Sequence, residues 1–174
     1  KVDYTYNSKI EDIGKPYVAI SEASTLQSKY WNNPIGWKKV IEYLKDSGYE
    51  VVLVQKEKNT GLDNVIKKVG LPIDQTIHYI KNAEFFIGLG SGLSWLAWAL
   101  DKKVILISGF SLPFSEFFTP YRVINTGVCH GCYNDISYSF DRGNWNWCPK
   151  NQDFICTKSI SHESVIEKID QIIK

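Results

Sequence analysis

The stretch Phe85–Leu100, "FFIGLGSGLSWLAWAL", decides how this chain folds. An apolar run of strand character passes into three alternate glycines and then into apolar helix formers, so it reads strand, tight turn, helix. Gly88, Gly90 and Gly92 let the backbone turn sharply and come close to a ligand. Behind them, Ser91, Gly92, Leu93 and Ser94 offer N–H groups at a helix N-terminus, where partial positive charge suits a phosphate. A plain helix cap packed on a strand uses the same residues, and both readings stay open. The named glycine motifs do not fit. There is no Gly-Lys-Ser/Thr of a P-loop. The G-x-G-x-G spacing, with no acidic residue ending the next strand, speaks against a nicotinamide dinucleotide. Ser91 lacks the glycines of a nucleophile elbow. The run meets "DKK" before it could span a bilayer, so no membrane span is expected.

Outward from this unit the same alternation recurs. "YVAIS" (17–21), "EVVLVQ" (50–55), "FFIG" (85–88), "VILIS" (104–108) and "YRVIN" (121–125) read as strands. "IGWKKVIEYLKDSG" carries Trp37, Val40, Ile41 and Leu44 at helical spacing and stops at Gly48. "LDNVIKKVG" repeats that spacing with Leu62, Val65, Ile66 and Val69, so a helix ending at Gly70 is expected. Asp74 is expected to cap a helix bearing Ile77 and Ile80. Ser161 is expected to cap a last one, with Val165, Ile166, Ile169, Ile172 and Ile173 facing inward. Apolar strands alternating with helices predict an α/β fold, a Rossmann-like three-layer parallel sheet covered on both faces. Residues 1–16 read as a linker or tail, and 17–174 as one domain. Ligands of such sheets bind beyond the carboxyl ends of the strands.

The loop after the first strand, "SEASTLQSKYWNNPIGW", lies on that rim. Ser24, Thr25 and Lys29 supply two hydroxyls and an ammonium, a set suited to a diphosphate. Opposite the glycine turn they favour a nucleotide or nucleotide-sugar pocket. Composition excludes little else. With 174 residues and 22% charged, this is a globular domain; its formal net charge of +1 gives no bulk attraction to nucleic acid or anionic membrane. Methionine is absent, which suggests that Lys1 is a domain boundary rather than a natural start. The opening residues lack a signal-peptide core, so a cytoplasmic location is expected.

All four cysteines fall between 129 and 156, spaced C-x2-C, fifteen residues, C, seven residues, C. A C-x2-C hairpin brings two thiolates to one point, and Cys148 and Cys156 could complete a tetrahedron. The C-x7-C is not a zinc ribbon's second pair. Tyr133 after Cys132 excludes c-type haem attachment, and "CHGCYND" is poor material for a redox helix. Two disulfides would need an oxidising compartment. The segment 127–157 is rich in polar and turn residues, so a structural four-sulfur metal site through Cys129, Cys132, Cys148 and Cys156 is favoured, with zinc and iron both compatible. His130 is a substitute ligand at most; His78 and His162 read as ordinary surface residues. Tyr138, Trp145, Trp147 and Phe154 are expected to pack the segment onto the domain.

Together, "STLQSKYWNNPIGW", "FFIGLGSGLSWLAWAL", "ISGFSLPFSEFFTPYRVIN" and the C-x2-C…W-C-P…C-T pattern resemble the bacterial autotransporter heptosyltransferases, relatives of the lipopolysaccharide heptosyltransferases. The resemblance covers nearly all the chain after residue 16. It implies the C-terminal, donor-binding domain of a GT-B enzyme that moves heptose from ADP-heptose to serine hydroxyls of adhesins. By position it implies that Ser24, Thr25 and Lys29 meet the donor diphosphate and that Ser91, Gly92, Leu93 and Ser94 hold phosphate or sugar. It places Gln55 near the ribose and makes the cysteines a finger holding one iron, with zinc as the alternative. The family's catalytic base is an aspartate of an N-terminal domain, so the residues here are expected to bind donor without turning it over. The implied partners are the donor, that domain and an adhesin acceptor; a homo-oligomer stays open. Two other readings remain: a different nucleotide-sugar, and a non-catalytic metal-stapled interaction module.

Overall fold

The computed structural model describes residues 10–138 and 146–174. Trp145 and the first nine residues of the expected tail lie outside them. Six strands form one sheet: β1 (Tyr17–Ile20), β2 (Glu50–Gln55), β3 (Ile66–Val69), β4 (Phe86–Leu89), β5 (Val104–Ile107) and β6 (Arg122–Val123). Their order is β3-β2-β1-β4-β5-β6, and every pairing is parallel. The inner strands are buried along nearly their whole length, which is why they read as unbroken apolar runs.

Helices cover both faces. On one lie α1 (Gly36–Asp46) and, at the end of the chain, α5 (His162–Ile173). Their Val40, Ile41, Leu44, Val165 and Ile169 pack on Val18, Ile20, Val51, Leu53, Ile105 and Ile107. The other face is covered by α2 (Ile73–Lys81) and α3 (Gly92–Ala99), where Tyr79, Ile80 and Ala97 meet Ala19, Val52, Val54, Phe86 and Leu106. Ile10 and Ile13, from the segment read as a linker, pack against this second layer. A short helix, α4 (Ile155–Lys158), follows Phe154.

Two expectations are corrected. Residues 62–70 are not helical: Ile66–Val69 is the edge strand β3, in register from Val52↔Ile66 to Gln55↔Val69. Asn64, at φ 59°, breaks any helix there. The β-branched Val65, Ile66 and Val69 suit a pleated strand. Val65 and Val69 touch the α1 side and Ile66 the α2 side, a period of two that the helical spacing had mimicked. Likewise α2 starts at Ile73 behind Pro72, so Asp74 sits within its first turn, where its charge complements the helix dipole without capping. Ser161 does cap α5, its Oγ accepting the N–H of Ser164 at 3.3 Å.

Both sheet edges are weak templates. The outer strand β3 carries Lys67 and Lys68, and β6 is only two residues long.

Candidate donor-binding site

The strand order reverses between β1 and β4, and a crevice opens there at the carboxyl ends. A cavity of about 890 Å³ occupies it. Ser24, Thr25, Lys29, Gln55, Ser91, Gly92 and Leu93 all line this cavity, so the two loops singled out in the sequence do meet. Leu71, Pro72, Ile73 and Leu96 form an apolar wall that sequence reading did not find, because it depends on β3 delivering the chain to the start of α2.

Lys29 ends a 3-10 turn (Gln27–Lys29) and reaches across the crevice, its Nζ donating to the carbonyl of Gly90 at 2.8 Å. Burial pushes its ammonium below the usual lysine range, and the carboxylate of Glu116 partly offsets that. At the start of α3 the N–H of Ser91 is bound to Leu89 and that of Ser94 to Ser91. Among the described residues the N–H groups of Gly92 and Leu93 have no backbone partner. Ser94 itself stands apart from the cavity: it is fully buried, and its Oγ donates to the carbonyl of Leu89 at 2.6 Å. It braces the turn from behind. Gln55 is buried at the end of β2; its Nε2 donates to Glu57, while its Oε1 lacks a partner among the described residues.

Glu116 is the residue that sequence reading missed. It is buried behind Gly90, where it pairs with Arg122 and accepts a hydrogen bond from Ser108 at 2.9 Å. A Cβ on Gly90 would sit 2.1 Å from its Oε1, so this glycine is required by the approach of a carboxylate. The available signal was a lone acid in the aromatic run "SGFSLPFSEFFTPYR".

The four cysteines are free thiols. Burial, with the other cysteines adding to it, pushes Cys156 up to about 12 and Cys132 up to about 11. The thiols therefore share one electrostatic neighbourhood. Among the described residues, however, no three His, Cys, Asp or Glu side chains converge in ligating geometry. His130 turns its Nδ1 to the carbonyl of Val128, 2.7 Å away. The donor chemistry fits a thiophilic metal, since desolvated thiolates that repel one another need a cation among them. The backbone around them is strained: Asn151, Asp153 and Phe154 all have φ near +50°, at 50°, 47° and 54°. Tyr138, Trp147 and Phe154 are half-buried. Among the described residues no helix is long and apolar enough to cross a membrane.

Comparison with known proteins points one way. The profile of Glycosyltransferase family 9 (heptosyltransferase) matches residues 3–139. The chain is 45% identical over 166 residues to the autotransporter heptosyltransferase BAHTCr of Citrobacter rodentium, covering 88% of this chain and 41% of that protein. It is 44% identical over 173 residues to the autotransporter heptosyltransferase TibC of Escherichia coli O78:H11, covering 92% and 43%. Against the crystal structure of TibC, described as a dodecameric iron-containing heptosyltransferase in complex with ADP-D-beta-D-heptose, the TM-score is 0.87 at 42% identity, over 95% of this chain and 47% of that one. The chain thus spans less than half the length of these relatives.

Proposed function

This chain belongs to glycosyltransferase family 9, and from that premise we propose that it is the donor-binding half of an enzyme that transfers heptose from ADP-heptose to serine hydroxyls of autotransporter adhesins. In such a transfer the serine oxygen attacks the anomeric carbon and loses its proton to a base. The bond from that carbon to the diphosphate oxygen breaks, and ADP departs with the extra negative charge. The residues here serve the departing side. Lys29 places its ammonium on the wall of the cavity, and Gly92 and Leu93, whose N–H groups have no backbone partner among the described residues, line it at the start of α3. Ser24 and Thr25 add hydroxyls on the loop after β1, Leu71, Pro72 and Ile73 supply an apolar wall suited to the adenine, and Gln55 is assigned to the ribose. Glu116 does not oppose the diphosphate, because Arg122 neutralises it. The base is assigned to the other half of the enzyme, so residues 1–174 alone bind donor without transferring it.

The observation that carries this reading is the bridge from Lys29 to the Gly90 turn across the strand-order reversal. Titration with ADP, ADP-heptose and UDP-sugars tests it by calorimetry: binding is expected for the adenine ligands only. Lys29→Ala is expected to weaken ADP by about 2 kcal/mol, roughly thirtyfold, the scale of a charge-assisted hydrogen bond. A UDP-sugar bound as tightly as ADP-heptose would overturn the donor assignment.

We further propose that Cys129, Cys132, Cys148 and Cys156 hold one iron, with zinc as the alternative. The iron-containing description of TibC and the four soft sulfur donors of one segment support it. Four protein sulfurs leave no open coordination position, so when bound the metal supplies charge compensation and a staple rather than catalysis. Elemental analysis and the visible spectrum are expected to give about one iron per chain with thiolate charge-transfer bands. The dodecameric form of TibC supports self-assembly here, and a four-thiolate metal site belongs with a reducing, cytoplasmic location.

A further inference from the structure

Besides the bond of Lys29 to Gly90, the turn that carries it is fastened at several points to residues flanking the cysteines. Ser28 is buried, and its Oγ donates to the carbonyl of Trp147 at 2.8 Å, one residue before Cys148. Asn32 donates to the hydroxyl of Thr157 at 2.8 Å, one residue after Cys156. The Lys29 ammonium lies over the ring of Tyr133, 5.4 Å from its centroid and one residue after Cys132. Leu26 packs in one apolar cluster with Phe110 and Cys132 itself. The segment is tied in turn to the end of β5, where Gly131 donates to Gly109 and Tyr133 to Phe110. Any Cβ on Gly109 would meet the carbonyl of Cys156 at 2.3 Å.

A long flexible side chain such as lysine loses much rotamer freedom when it is held at one point. Here the loop that begins the turn has no regular structure of its own beyond a single 3-10 turn. Its precision therefore comes from outside, and the three polar ties come from three different flanks of the cysteine cluster. We propose that the cysteine segment positions Lys29 for the donor diphosphate, with Ser28 and Tyr133 as the positioning residues that link the two. The proposal rests on the diphosphate reading of the crevice. It gives the four cysteines a role beyond holding their own loop together: gathering them sets the place of a cation at the neighbouring site.

The test is a thermodynamic cycle on the full chain with ADP as the probe. Ser28→Ala removes the tie to Trp147, and Tyr133→Leu removes the ring beneath the ammonium; both leave Lys29 in place. Each is expected to weaken ADP binding about fivefold, with metal content equal to that of the unaltered protein. In a Lys29→Ala background, neither is expected to weaken ADP further, because each acts through Lys29. Removing the metal with a chelator is expected to follow the same rule, weakening ADP in the unaltered protein and not in Lys29→Ala. If Lys29→Ala weakens ADP but Ser28→Ala and Tyr133→Leu do not, the coupling fails and the donor site stands. The coupling also fails if their effects persist undiminished without Lys29. If Lys29→Ala binds ADP as tightly as the unaltered protein, the diphosphate reading and the coupling fall together.

Discussion

At the scale of single residues, Gly90 and Ser94 show how the crevice is built from behind. A methyl on Gly90 has to displace a buried carboxylate that is paired with Arg122. Gly90→Ala is therefore expected to cost about 1–3 kcal/mol in urea denaturation, the usual scale of overpacking. Ser94→Ala removes a buried hydrogen bond to Leu89 and is expected to cost about 1–2 kcal/mol. Since Ser94 faces the sheet, ADP affinity should change far less than it does in Lys29→Ala. Lys29 adds a pH signature. Burial lowers its pKa, so its charge is lost at a lower pH than the ordinary 10.5. ADP affinity is expected to fall as pH rises through that lowered value, and Lys29→Arg should abolish the fall. Folding stability carries the opposite sign: the unfolded chain binds the extra proton in that window, so this residue's contribution to stability rises with pH there.

Single elements show where sequence reading succeeds and where it stops. The strands β1, β2, β4 and β5 announce themselves as apolar runs because both their faces are covered. The edge strand β3 does not, since none of it is fully buried and the four apolar residues Leu62, Val65, Ile66 and Val69 in and before it fall by chance on a helical period. The left-handed backbone of Asn64, which settles the matter, leaves no trace that distinguishes it from other asparagines in loops. Ser24, Thr25, Lys29 and the glycine turn were legible because local chemistry marks them. Glu116 and the wall at Leu71–Ile73 were not, because only the folded sheet brings them to the crevice. The helix α5 was legible to its first residue. Ser161→Ala is expected to cost about 1 kcal/mol in thermal or chemical unfolding, and Ser161→Asp to restore it.

At the scale of the whole molecule, the sheet and the cysteine segment share one job. Strand order places the two loops opposite each other, and Tyr133, Trp147 and Thr157 hold the loop after β1 in place. If the proposed metal is present, chelating it is accordingly expected to speed amide exchange both in residues 148–157 and in the turn Gln27–Lys29, with β1 and β4 unaffected. The edges of the sheet matter on this scale too. Lysines along β3 and the brevity of β6 deny a neighbouring chain any length of bare backbone to extend. Copies of this protein are thus poorly suited to growing edge to edge as a continuous ribbon of hydrogen-bonded strands.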